Sequence, residues 1–145
     1  DTVKRDCAGD HLFLGYVVSS FGGRIYHSGD CIDYPGLAGH LSGMNIDLAL
    51  LPVNGRHEYL TSRGIIGNFT FEEAVQLCRA ACIPALVPHH FGMFAENTVD
   101  ERELDEKISS ANGPPLCVKP MMGDEMRLTR KNDPEGERTA ASRQC

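Results

Sequence analysis

The sequence predicts an α/β fold, and three observations carry that prediction. Short runs rich in aliphatic and β-branched residues recur at Leu12–Ser19, Arg24–His27, Ile46–Leu51 and Ala85–Val87. A strongly marked helix stands between the last two, and strands alternating with helices are the pattern of layered α/β domains. Polar clusters containing His, Asp and Asn follow the strands and not the helix. A chain of 145 residues with 41% hydrophobic and 23% charged content has enough apolar material for a core. At this length a single domain buries roughly 70% of its unfolded surface.

The first two runs flank Gly22-Gly23 and read as a β-hairpin. The second strand ends in Ser28-Gly29-Asp30, where glycine permits a sharp change of direction. From Cys31 to Met44, three glycines and one proline predict mostly loop, with room for a short helix. Ile46–Leu51 is nearly continuous in apolar residues, as expected of a strand covered on both faces, and Pro52-Val53-Asn54-Gly55 ends it as a turn. A polar loop to Asn68 follows. Thr70-Phe71-Glu72-Glu73 then spells a capping box, with Thr70 at N-cap and Glu73 at N3. Phe71, Ala74, Val75, Cys78 and Cys82 share one face of that helix. Pro84 stops it, and Ala85–Val87 forms the next strand, ending at Pro88-His89-His90. Residues 100–111 read as a charged surface helix and Leu116–Val118 as a last strand. Residues 121–130 suggest a hairpin about Gly123-Asp124, and 131–145 a tail with almost no apolar residues.

Charge and cysteines bound the function. Twenty acidic against fourteen basic residues, a net charge of -6, leave no basic footprint for nucleic acid. No stretch reaches the length of a membrane span, and no signal-peptide pattern opens the chain. Six scattered cysteines without a C-x-x-C pair argue against a structural zinc ribbon and predict reduced thiols in a cytoplasmic protein.

Three polar clusters sit at the carboxyl ends of the predicted strands: His27-Ser28-Gly29-Asp30, Asn54-Gly55 and His89-His90. Strand ends converge on one sheet edge, so these residues can meet there. Carboxylate with imidazole is a donor pair used by zinc, manganese and iron. The same residues equally suit a bland reading, with Asp30 capping a turn and both histidines satisfied within their loop. His11, His40 and His57 have no motif around them.

Taken in order, Tyr26-His27-Ser28-Gly29-Asp30, Leu50-Leu51-Pro52-Val53-Asn54-Gly55, Gly67-Asn68-Phe69-Thr70 with Glu73-Ala74, and Pro88-His89-His90-Phe91-Gly92-Met93-Phe94 resemble the second half of a metallo-β-lactamase-fold hydrolase. Within that family the chain most resembles the L-ascorbate-6-phosphate lactonase (UlaG-like) proteins, and the resemblance runs from about Leu12 to about Asp100. It implies the C-terminal half of an αββα sandwich over residues 1–130, with Asp30 and His90 as ligands to one or two divalent ions, zinc, manganese or iron. His90 is preferred to His89 because the family pattern is Pro-x-His-aromatic. His27 and His89 would stand behind the ligands, and Asn54, Gly55 and Asn68 would line the pocket, with Asn68 also at a helix entry. Arg56 and Arg63 are candidate contacts to an anionic substrate group.

The family's His-x-His-x-Asp-His motif is absent, and Asp1 would directly follow a further family histidine. The chain is therefore expected to be part of an enzyme and inactive alone. The implied reaction is lactone hydrolysis of a small, phosphorylated sugar acid. A phosphodiesterase of the same fold and a non-catalytic interaction module are the alternatives. Half a sandwich would expose sheet face and edges, so self-association is expected.

Overall fold

The computed structural model describes residues 4–20 and 22–128. Its sheet has five strands in sequence order: β1 (Tyr16–Ser20), β2 (Gly23–His27), β3 (Leu48–Pro52), β4 (Ala85–His89) and β5 (Leu116–Cys117). β1 and β2 form the antiparallel hairpin, with Val17 opposite Tyr26. The other neighbours are parallel. Parallel strands need crossovers, and these carry α1 (Leu37–Ser42), α2 (Glu58–Thr61), α3 (Phe71–Ala80) and α4 (Glu101–Ser110).

One face of the sheet is covered. Tyr26, Ala49, Leu51 and Leu86 share a single core with Leu37 and Leu41 of α1, Ala74, Val75, Leu77 and Cys78 of α3, and Leu104 of α4. Alternation along a strand sends the intervening residues to the opposite face. Val18 opposite Ile25, Ile25 beside Leu48, and His27 beside Leu50 lie on that second face, outside the helix core.

α3 begins as its sequence dictates. The Thr70 hydroxyl accepts the Glu73 N–H, and the Glu73 carboxylate accepts the Thr70 N–H. α4 is capped by Asp100, whose carboxylate accepts from the Arg102 and Glu103 N–H groups. Lys107 of α4 bridges Glu72 of α3 and Glu103 of its own helix.

Four expectations are corrected. The first strand begins at Tyr16, not Leu12, because β2 ends at His27, opposite Tyr16, and offers the preceding residues no partner. The polar loop before Asn68 contains α2. Residues 121–128 form a turn without strands, while 129–145, and with them the expected tail, lie outside the described residues. Finally, Cys78 is a buried free thiol as expected, but Cys82 is disulfide-bonded. Cys82 stands beyond the end of α3 at φ 56, exposed, so the helical spacing does not bring it to the buried face. Cys7, Cys31 and Cys117 are free. No helix among the described residues is long and apolar enough to cross a membrane.

Candidate metal centre

Because β2, β3 and β4 run parallel, their carboxyl ends lie on one edge, and the three polar clusters follow them there. His27 closes β2, Asn54 and Gly55 follow β3, and His89 closes β4 with His90 next. Across the edge, His90 Nε2 lies 3.3 Å from Asp30 Oδ1, although 60 positions separate them in the chain. The Asp30 side chain is 73% exposed and that of His90 21%, so the pair opens to solvent from the carboxylate side.

The turn carrying Asp30 is tightly specified. Gly29 adopts φ 64, a left-handed conformation that glycine takes without a Cβ penalty. The Gly29 N–H donates to His27 Nδ1 at 2.9 Å. The Cys31 N–H donates to Asn68 Oδ1 at 2.8 Å. His90 itself has φ 63, which is uncommon for a residue with a side chain and costs of order 1–3 kcal/mol. The loop beyond it is fixed by the Gly92 N–H donating to Thr98 Oγ1.

The imidazoles crowd one another. The rings of His27 and His89 lie 4.8 Å apart at 31°. Burial first, then the neighbouring rings of His27 and His90, holds the His89 pKa down at about 4, so His89 is neutral at pH 7. His89 Nε2 and His90 Nδ1 are buried without hydrogen-bond partners. Leaving such atoms unsatisfied costs about 1–3 kcal/mol each. The nitrogen that faces the carboxylate is the other one of the His90 ring, Nε2, and imidazole with carboxylate is a donor pair suited to a divalent cation. The donor set thus fits a metal, but incompletely. No group of three or more His, Cys, Asp or Glu side chains able to hold one is assembled among the described residues.

Beneath the pair run buried amides. Asn68 Nδ2 donates to Asn54 Oδ1 at 2.9 Å, and Asn54 Nδ2 donates to Asn97 Oδ1 at 2.6 Å. Asn54 and Asn68 are both 3% exposed. Gly55 exchanges backbone bonds with Asn68 and Phe69. Their approach demands Gly67, where a Cβ would stand 2.6 Å from the Gly55 carbonyl oxygen. Arg56 is engaged locally: it donates to the Asn68 carbonyl and pairs with Glu73. The Arg63 guanidinium lies 3.8 Å above the Tyr59 ring. Neither arginine touches the Asp30–His90 pair. Nothing in the spacing of Asn97 and Thr98 marks them in the sequence as partners of Asn54 and Gly92.

A mixed sheet with helices on one face and a carboxylate–imidazole pair at its carboxyl edge defines the class, a metallo-β-lactamase-like α/β domain. The beta-lactamase superfamily domain family matches residues 4–91, more than half of the chain, and the chain belongs to that family. Its fold is similar to that of Igni18, a metallo hydrolase from the hyperthermophilic archaeon Ignicoccus hospitalis KIN4/I. That match has a TM-score of 0.52 at 19% identity and covers 80% of this chain and 43% of the other. A protein of Parabacteroides distasonis ATCC 8503, provisionally named a metal-dependent hydrolase, aligns at a TM-score of 0.46 and 22% identity, over 80% and 40% of the two chains. The chain spans less than half the length of these solved structures. No curated protein matches it.

Proposed function

We propose that this chain forms part of a metal-dependent hydrolase in which Asp30 and His90 are two of the metal ligands. The observation carrying this reading is the 3.3 Å approach of His90 Nε2 to Asp30 Oδ1 at the carboxyl edge of the sheet. Membership in the beta-lactamase superfamily and the fold shared with a metallo hydrolase support it. A divalent zinc, manganese or iron ion, when bound, supplies Lewis acidity toward a carbonyl or phosphoryl oxygen and lowers the pKa of water. The protein's part is to present an accessible anionic carboxylate at Asp30 and a backbone-constrained imidazole at His90. His27, through its Gly29 contact, shapes the turn. The neutral His89 packs beside it and keeps positive charge away from the cation.

The chain is further assigned to the C-terminal half of the sandwich, with the remaining ligands contributed from elsewhere in the fold. In support, two donors are too few for a catalytic zinc site, which takes three from protein, and among the described residues the helices pack on one sheet face. The substrate is proposed to be the lactone of a small phosphorylated sugar acid, in keeping with the motif resemblance around Asp30 and His90.

Zinc and manganese titrations, with hydrolysis assays on a phosphorylated lactone and a phosphodiester, test this reading on the complete protein. Asp30→Ala and His90→Ala are each expected to weaken metal binding at least 100-fold and to abolish lactone opening. Unchanged metal affinity in both variants would remove the assignment. Hydrolysis of the phosphodiester alone would keep the site and change the substrate.

A further inference from the structure

Asp30 is flanked by two peptide N–H groups, and a side chain holds each of them. His27 Nδ1 accepts from Gly29 and Asn68 Oδ1 accepts from Cys31. The His27 contact is local, spanning two residues. The Asn68 contact is long-range and ties the Asp30 turn to the entry of α3, 37 positions away. Asn68 has no freedom in how it does this. A backbone N–H requires an acceptor, so Oδ1 faces Cys31 and Nδ2 must donate, which it does to Asn54 Oδ1. Asn54 then has only its Nδ2 left, and this donates to Asn97 Oδ1 on the loop beyond His90. One directed chain of amides therefore joins the loops that follow β2, β3 and β4.

The chain is anchored as well as directed. The Asn68 carbonyl accepts from Arg56, Arg56 pairs with Glu73, and Glu73 closes the capping box on Thr70. The Asn68 N–H donates to Gly55 and the Phe69 N–H to the Cys31 carbonyl. Asn54 and Asn68 are buried, and each amide nitrogen and oxygen of the pair has a partner within the protein.

The geometry points to Asn68 as the positioning residue that holds Asp30 against His90, through the Cys31 N–H on one side and the Asn54–Asn97 amides on the other. This rests on the reading of Asp30 and His90 as metal ligands. It goes beyond that reading by giving the pair a buried support in the loop that enters α3. Groups that orient ligands without touching the metal typically govern 10–100-fold in affinity.

The test combines metal affinity with two readouts that need no metal, in the full chain: hydrogen exchange at the Cys31 amide and the Asp30–His90 separation in a crystal structure. Asn68→Ala is expected to weaken zinc or manganese binding at least 10-fold, to expose the Cys31 amide to exchange, and to lengthen the 3.3 Å separation by 1 Å or more. Asn97→Ala, which spares the Cys31 contact, is expected to cost threefold or less in affinity. If Asn68→Ala does not fold, Asn68→Gln decides, because it keeps both acceptor and donor but sets them one methylene out of place: a lengthened Asp30–His90 separation supports the assignment and an unchanged one overturns it. A lowered thermal midpoint in Asn68→Ala with the separation unchanged would mean Asn68 only stabilises the helix entry, and the proposal falls. Failure of the unmutated protein to bind either metal would instead sink the ligand reading. The separation and the Cys31 amide would still decide the role of Asn68.

Discussion

The two faces of the sheet are built from similar residues and meet different surroundings. On the helix side, Ala49, Leu51 and Leu86 are completely buried. On the opposite side and along β1, Tyr16 and Val18 are each 60% exposed, and every residue of β1 is exposed. Aliphatic and aromatic content alone therefore does not say which residues carry the stability. The helices α1, α3 and α4 decide that, by converting one face into core. A matched pair of truncations tests the contrast between the two faces. Leu51→Ala should destabilise by about 2–5 kcal/mol through lost burial and a residual cavity. Val18→Ala should change stability by no more than about 0.5 kcal/mol. Urea unfolding of both variants measures the contrast; equal losses would mean that the exposed face is covered in solution.

The difference between the faces also sets what could be read from sequence. Helix α3 was legible because its signals are local. Thr70, Glu73 and the spacing of Phe71, Ala74, Val75 and Cys78 lie within nine residues, and the structure uses them as written. Strand limits were less legible because they depend on partners. Pro88 reads as a stop, yet β4 continues to His89. The Leu116 and Val118 N–H groups donate to Pro84 and Leu86, so β5 has ended before Pro88's missing N–H would be needed. At the site, the chemistry-bearing residues were legible as clusters after strands, since parallel strands deliver their ends to one edge. The Asn68–Asn54–Asn97 amides were not, because asparagine carries no signal of a partner 14 or 43 positions away.

The next effect in size lies where the covered face meets the site. Thr70→Ala removes an N-cap that also steadies the Asn68 end of α3, and should lower stability by about 1 kcal/mol. Its acid counterpart is Glu73. Burial pushes this carboxyl up, but hydrogen bonds from Arg56 and the Thr70 N–H outweigh it, and the net pKa lies below the ordinary carboxylate value. A carboxyl lowered in the folded state adds stability that is fully present above its unfolded pKa. That contribution fades as pH falls through the folded one. The acid limb of a stability profile should accordingly be shallower in Glu73→Gln than in the unmutated chain. Identical limbs would show that the Arg56–Glu73 pair adds nothing to folding.

The smallest expected effect on stability tests the exposed side most directly. Val18 stands in β1, whose outer edge has no partner strand among the described residues. An unpaired, apolar edge is a template for association, and lysine on such an edge discourages it. Val18→Lys should leave the unfolding midpoint within the range of other surface changes while shifting sedimentation of the concentrated protein toward the monomer. If the unmutated chain already sediments as a monomer, edge association is removed as an explanation for the exposed apolar residues. If Val18→Lys instead destabilises by several kcal/mol, that side of the sheet is packed in solution, and the contrast between the two faces disappears.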